Sequence, residues 1–592
     1  MNYPSGKKAT VLFFFLIGAL LVVSVTIYQP SVHYFFDAVG MRDGNLFLST
    51  LSFTFEDIRK FIRAAVYHVH GPLAYIISNI YYLLVGEYFG LGPKVVHFPN
   101  AVIVFFTALY CYLLGKRVYS SKFGYVFALL YVLSPWVIQT VRQPYPAFIL
   151  SPLLQIMAVY YFTLFIQNSN DLKNRILGPV VLSLYLMIAL DWPPFLIFLF
   201  AYLYFNNRFG DFAGNRFVLL PAVVFLVWIL WFLRLVIAGT PMIITPFNHV
   251  FRTTWKVINF DLSTYAFFFA DSLGIVGILA FAGFISVLIK KWNIVGKLFL
   301  SPKWLFTEYP RQGAKVGDHS HLRETLVLCF SGWFFMAIVP LIATSLRSFT
   351  AFVVGIPLAF VATLAVERFK AKAIFFLAVI MLPWIAWSVI LAGPVVGFKS
   401  DQQYQYAGPI QNRYDDVRVL AMAAYLIEYR QDLLAENKTS FVPRNVPANA
   451  LQYARGKNRR IITKSNLERY FPESKIKINP NETKNLEFIN AYRDRGEFNA
   501  DWLMLIPRLL ELPYSKPSRD FYIRLKNDPR IYWSVILRDR YGREVWLGEV
   551  RDKGQAIEKA KVMDVEPLAK FYQEKYNRLS SLKRNPDFLN KY

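Results

Sequence analysis

The sequence is poor in cysteine, in acidic residues and in charge of any kind. Only Cys111 and Cys329 occur in 592 residues. Both fall inside apolar runs and neither has a partner at ligand spacing. A disulfide framework and a structural zinc site are therefore not expected, and small apolar packing is the simpler role for each thiol. Charged residues make up 18% of the chain, and 39 acidic residues face 65 basic ones, for a formal net charge of +26. There is no internal repeat and no low-complexity segment.

What fills the chain instead is apolar: 55% of residues are hydrophobic and 17% aromatic. A water-soluble fold has no use for that much apolar surface, because its outer face must be polar. A chain crossing a bilayer many times has. In a soluble protein a basic excess of this size points to nucleic acid. Here the basic residues cluster in short loops between apolar runs, where the bias of cytoplasmic loops toward Lys and Arg accounts for them. No nucleic-acid partner is expected.

The first apolar run, 11–28, follows Lys7 and Lys8 and is too long for a signal-peptide core. The sequence after it, Gln29-Pro30-Ser31-Val32-His33, is a poor cleavage site. An uncleaved first span with a cytoplasmic N-terminus is expected. Further runs lie near 95–114, 124–140, 147–166, 176–190, 193–205, 217–238, 272–289, 325–343, 350–366 and 373–391. The loop 290–324, with Pro302, Pro310 and Gly313, reads as a basic cytoplasmic loop with an interfacial helix around 292–306.

Charge tests this count. If 74–89 does not cross, alternation places Lys116/Arg117/Lys122, Lys173/Arg175, Arg208/Arg216, Lys290 to Arg323 and Arg368/Lys370/Lys372 on the side of Lys7 and Lys8. If 74–89 crossed, those clusters would face outward, against the positive-inside bias. The segment is therefore expected to lie at the outer interface. The fold class expected is an α-helical polytopic membrane protein of about eleven transmembrane helices, with interfacial helices in the first outer loop 29–92. Composition changes at 393. Residues 1–392 form the membrane module, and 393–592 are expected to form a soluble α/β domain outside the cytoplasmic membrane. Its expected pieces include a helix over 417–436, strands at 460–463 and 502–506, and a hairpin of 532–537 with 544–547 around Tyr541-Gly542.

Residues able to do chemistry concentrate in the outer loops. Phe55, Ile58, Phe61, Ile62, Ala65 and Val69 share one helical face, with Arg59, Lys60 and Arg63 opposite: an amphipathic interfacial helix whose basic side suits anionic headgroups or a lipid-linked phosphate. Asp37, Asp43, Glu56 and Asp57 supply the acid. The chain then turns at His70-Gly71-Pro72. Arg142 and Arg347 sit at span ends on the expected outer side, where snorkelling to headgroups is as good a reading as a site role. His68 and His70 stand two apart, a weak metal pattern, so a divalent metal is possible but not required. Asp191, before Trp192-Pro193-Pro194, reads as a helix cap.

The order of these features resembles the GT-C superfamily of membrane glycosyltransferases, closest to the protein O-mannosyltransferase and aminoarabinose transferase type. The residues carrying the resemblance are the acids after the first span, His70-Gly71-Pro72-Leu73-Ala74-Tyr75, Leu114-Gly115-Lys116-Arg117, Leu133-Ser134-Pro135, Arg142-Gln143-Pro144-Tyr145, and Arg347 with Pro357. The resemblance covers roughly 10–390; it implies transfer of a sugar from a polyprenyl-phosphate-linked donor to a lipid, glycan or protein acceptor at the outer face. It also implies an Asp of the first loop as base, with Asp37, Asp43 and Asp57 as the choices. The usual Asp-Glu pair is absent: Glu56-Asp57 stands reversed, and Tyr145-Pro146 replaces a second acid common in the family. Phosphate contacts would fall to His70, Arg59, Lys60, Arg63, Arg142, Tyr145 and Arg347. A flippase for a lipid-linked intermediate, or an assembly subunit without activity, are the alternatives. The flippase should show charges buried mid-span.

Overall fold

The structure, a computed structural model, describes residues 7–26, 93–141, 147–188, 192–227, 273–294, 319–344, 354–367, 369–386, 418–434, 495–505, 523–538 and 544–568, with a few isolated positions such as 73, 77 and 309. Helices dominate the first part: α1 (Lys7–Thr26), α2 (Pro93–Val118), α3 (Ser121–Val132), α4 (Pro135–Val141), α5 (Ala147–Gln167), α6 (Leu172–Leu186) and α7 (Trp192–Phe205). After these come α8 (Arg216–Val227), α9 (Gly274–Lys290), α10 (His319–Thr344), α11 (Gly355–Val366) and α12 (Ala371–Ala386). Four described helices are long and apolar enough to cross a membrane, those containing Lys8–Val25, Phe98–Val118, Ile149–Gln167 and His319–Val339; the others are shorter apolar helices. They share one hydrophobic core running from Phe14 to Met381. The outward-facing residues are also apolar: Phe15, Ile197, Ile278 and Phe375 are all exposed, as a lipid-facing surface requires.

The run expected over 124–140 as one helix is two. Pro135 has no N–H to continue the ladder, so α3 ends at Val132 and α4 restarts at Pro135. Ser134 sits at the break and donates its hydroxyl to the Leu130 carbonyl, 2.8 Å. At the other end of α3, Ser120 is the N-cap and accepts from the Phe123 N–H at 3.2 Å.

Contacts fix the direction of each helix. α1 runs antiparallel to α2: Phe14 packs on Tyr112 and Gly18 faces Phe105. Thr10 at the start of α1 meets the Tyr125 hydroxyl on α3, 2.6 Å. The end of α2 joins the end of α5 through Arg117 Nε and Gln167 Oε1, 2.6 Å. Asn215, just before α8, donates to the Arg175 carbonyl near the start of α6. His321 on α10 meets the carbonyl of Phe205 at the end of α7. Lys291, after α9, pairs with Glu324. Lys122 donates to the carbonyls of Glu367 and Phe369 between α11 and α12, both 2.7 Å. Arg323 pairs with Glu367 and lies over the Tyr119 ring.

One end of the bundle therefore gathers the starts of α1, α3, α6, α8, α10 and α12 and the ends of α2, α5, α7, α9 and α11. Lys116/Arg117/Lys122, Lys173/Arg175, Arg208/Arg216 and Lys290, Arg323 and Lys370 meet there as a basic rim. The alternation expected from charge is present in the described helices. α1 ends and α2 begins at the same, opposite end.

The polar C-terminal part has a separate core of Leu503, Leu505, Ile531, Trp533 and Trp546, among others. Its sheet has five strands in the order β1-β2-β4-β3-β5: β1 (Ser440–Phe441), β2 (Trp502–Leu505), β3 (Ile531–Arg538), β4 (Glu544–Val550) and β5 (Lys561–Asp564). β3 and β4 are antiparallel neighbours, with Ile536 opposite Trp546, as the hairpin reading required. The expected helix over 417–436 is α13 (Arg418–Tyr429) plus a 3-10 turn over Gln431–Leu434, and α13 packs on β3 and β4. The expected strand at 460–463 lies outside the described residues.

Candidate active site

Every acid and cation expected to do chemistry lies outside the described residues: Asp37, Asp43, Asp57, Arg59, Lys60, Arg63, His70, Arg142, Tyr145 and Arg347. Described residues close to some of them in sequence are Leu73, Val141 and Gly355. Leu73, three residues after His70, donates its N–H to the Met187 carbonyl at the C-terminal end of α6, 3.3 Å, and packs on the helical core. Val141, directly before Arg142, accepts through its carbonyl from the buried side chain of Asn100 near the start of α2, 3.3 Å. Gly355 opens α11 eight positions after Arg347 and lies against the Trp136 ring on α4.

All three anchors belong to the end opposite the basic rim. α2 and α11 begin there, and α4 and α6 finish there. Leu73, Val141 and Gly355 thus lie at one end of the bundle. Asn100 was not singled out by sequence reasoning. The signal for it was an amide in an otherwise apolar helix, costly to bury unless paired.

The interior between the two ends is polar in places but uncharged. Gln155 donates to the Tyr185 hydroxyl, Thr163 meets Tyr202, and Asn206 donates to Thr325 Oγ1 at 3.0 Å. Among the described residues no charged side chain is buried in the bundle; Glu549 in the sheet is the one buried charge. Among the described residues no cluster of His, Cys, Asp or Glu is arranged to hold a metal ion.

These features define a class: a polytopic α-helical membrane protein whose described basic turns lie at one end of the bundle. In comparison with solved structures it is similar to ArnT from Cupriavidus metallidurans in the apo state, at 13% identity, over 91% of this chain and 98% of that one, TM-score 0.46. It is similar to the same ArnT bound to undecaprenyl phosphate, at 13% identity over 92% and 98%, TM-score 0.44. It is also similar to the archaeal oligosaccharyltransferase AglB from Archaeoglobus fulgidus in complex with an inhibitory peptide and a dolichol-phosphate, at 11% identity over 92% and 74%, TM-score 0.47. No protein-family model and no curated protein sequence matches the chain.

Proposed function

We propose that the chain is an integral membrane glycosyltransferase that moves a sugar from a polyprenyl-phosphate-linked donor to a lipid, glycan or protein acceptor. The reaction is placed at the face opposite the basic rim, which is the outer face if the rim is cytoplasmic. The observation that supports the reading is that Leu73, Val141 and Gly355, close in sequence to His70, Arg142 and Arg347, all lie at that one end. The absence of buried charge among the described bundle residues also favours an enzyme over a flippase, which needs polar sites at mid-depth.

The chemistry follows from the donor. A carboxylate of the first loop removes the proton from the acceptor hydroxyl or amide. The freed lone pair attacks the anomeric carbon from the side opposite the phosphate. The bond from carbon to phosphate oxygen breaks, and polyprenyl phosphate leaves with that electron pair, so the anomeric configuration inverts. Arg59, Lys60, Arg63, Arg142 and Arg347, with His70 and Tyr145, are the groups able to stabilise charge growing on the leaving phosphate. Residues 393–592 form an outer domain whose role is acceptor recognition.

The test is release of polyprenyl phosphate by purified protein in lipid, offered polyprenyl-phosphate-linked sugars. One of Asp37→Asn, Asp43→Asn and Asp57→Asn should slow release by roughly 10²–10⁴-fold with folding intact, the span expected for losing a general base. Full activity in all three and in the triple variant would remove the base from this loop. No release from any donor would move the chain to the flippase or inactive-subunit reading.

A further inference from the structure

The basic rim holds a cavity that the proposed chemistry, at the opposite end, leaves unused. It lies between α2, α5 and the start of α6 and has a volume of about 500 Å³; Tyr110, Leu113, Arg117, Tyr160, Leu164 and Lys173 are among its walls. We propose that it binds the phosphate headgroup of a single anionic lipid from the leaflet on the rim side.

Three observations support this occupant. The first is an apolar track. Val102, Phe106, Tyr110, Leu113 and Arg117 follow one another at spacings of three and four along one face of α2. Val102 and Phe106 are exposed on the apolar surface, 39% and 44%. From position 102 to position 117 the helix rises about 22 Å, roughly the depth of one leaflet including its headgroup. The track is apolar toward mid-membrane and ends at a guanidinium, which matches a lipid lying along the helix.

The second is charge. Arg117 and Lys173 are exposed cations at the mouth, and Asp171 beside them is engaged as the N-cap of α6, accepting from the Lys173 N–H at 3.0 Å. Arg117 spends only its Nε on Gln167. The two terminal nitrogens have no bonded partner among the described residues, leaving the paired donors that suit phosphate oxygens.

The third is the wall. The Tyr110 and Tyr161 hydroxyls meet at 2.9 Å, and the Tyr110 ring packs edge-on against Tyr160. This gives the cavity amphipathic aromatic walls below the two cations, the kind of residue enriched near membrane interfaces. Asn174 donates to the carbonyls of Leu164 and Asn168 and fixes α6 to the end of α5, so the cavity walls hold each other in place.

The test is native mass spectrometry of the full chain released from phosphatidylcholine nanodiscs doped with phosphatidylglycerol or with phosphatidic acid. Wild-type protein should keep one anionic lipid. The double variant Arg117→Gln/Lys173→Gln should lose it at least tenfold. Leu164→Trp, which fills the cavity and leaves the cations in place, should lose it equally, and Lys290→Gln, elsewhere on the rim, should not. Comparison of the two dopants tells which phosphate lipid the cavity prefers. The proposal is overturned if phosphatidylcholine is retained as well, if Lys290→Gln has the same effect as the double variant, or if inorganic phosphate alone displaces the lipid. None of these outcomes touches the reaction at the other end.

Discussion

The residue that most rewards a closer look is Glu549 on β4. It is 6% exposed, and two guanidiniums converge on it: Arg430, from the end of α13, and Arg551, at 2.6 Å. Burial by itself would raise its pKa, but the bonds from Arg430 and Arg551 outweigh that and hold the carboxyl below the ordinary glutamate range. A carboxylate whose folded pKa is depressed contributes stability above its unfolded pKa, about 4.3, and loses that contribution as the pH falls through its lower folded value. The sheet should therefore become less stable under acid. Hydrogen exchange in β2 to β4 followed from pH 6 to pH 3 should show the protection falling, and Glu549→Gln should flatten that part of the profile. Arg430→Ala leaves a buried carboxylate with one partner fewer and is expected to cost about 3 kcal/mol, more than removal of an exposed pair such as Arg495 with Glu497. Sequence reasoning had no access to this cluster. Arg430, Glu549 and Arg551 read as ordinary surface charges until the sheet closes and brings residues 119 positions apart together.

At the scale of the element, glycines let described helices approach backbone to backbone. A Cβ on Gly115 would stand 2.7 Å from the Gly124 Cα, and one on Gly124 would stand 2.5 Å from the Tyr112 carbonyl oxygen. Backbone meets backbone there, so α2 and α3 can approach only because both positions lack a side chain. Gly332, in the middle of α10, has nothing within 4 Å of the same point. Gly124→Ala should thus force the helices apart and cost about 1–3 kcal/mol, the range for overpacking. Gly332→Ala should be neutral or stabilising by up to about 1 kcal/mol through helix propensity. Thermal unfolding in detergent compares the two directly, and equal behaviour would mean that the α2–α3 contact is not close in the protein. The helices themselves were legible, because apolar runs and their basic ends are written locally. Gly115 was also noticed, but only as part of Leu114-Gly115-Lys116-Arg117. Its partner Gly124 was not, since nothing local says which glycine another will touch. The break at Ser134-Pro135 was readable from proline chemistry, but the apolar residues on both sides of it read as one continuous span.

For the whole molecule, what the sequence made legible was its polarity: which loops share an end. That rests on counting, and counting works because basic residues are dear to move across a bilayer and cheap to leave behind. The described contacts join those loops into one rim without any reference to charge bias, through bonds such as Lys122 to the Glu367 carbonyl and His321 to the Phe205 carbonyl. The proposed site was legible only as residue types in order, because a site built from a long loop and two span ends would depend on packing that no local pattern encodes. Which compartment the rim faces is a separate matter, and the two native cysteines make it measurable. Cys111 and Cys329 are 0% and 6% exposed, so the wild-type chain should give little reaction with a membrane-impermeant maleimide. Asn170→Cys adds a thiol at an exposed turn of the rim, and Lys399→Cys adds one after the last apolar run. If the rim is cytoplasmic, Asn170→Cys should label only in inverted vesicles and Lys399→Cys only in right-side-out ones. Labelling of both from the same side would mean an even number of crossings between them, with the proposed outer placement of residues 393–592 lost. Labelling in the reversed pattern would keep the fold but put the proposed transferase face in the cytoplasm, where its donor would have to be a lipid-linked sugar still on the inner leaflet.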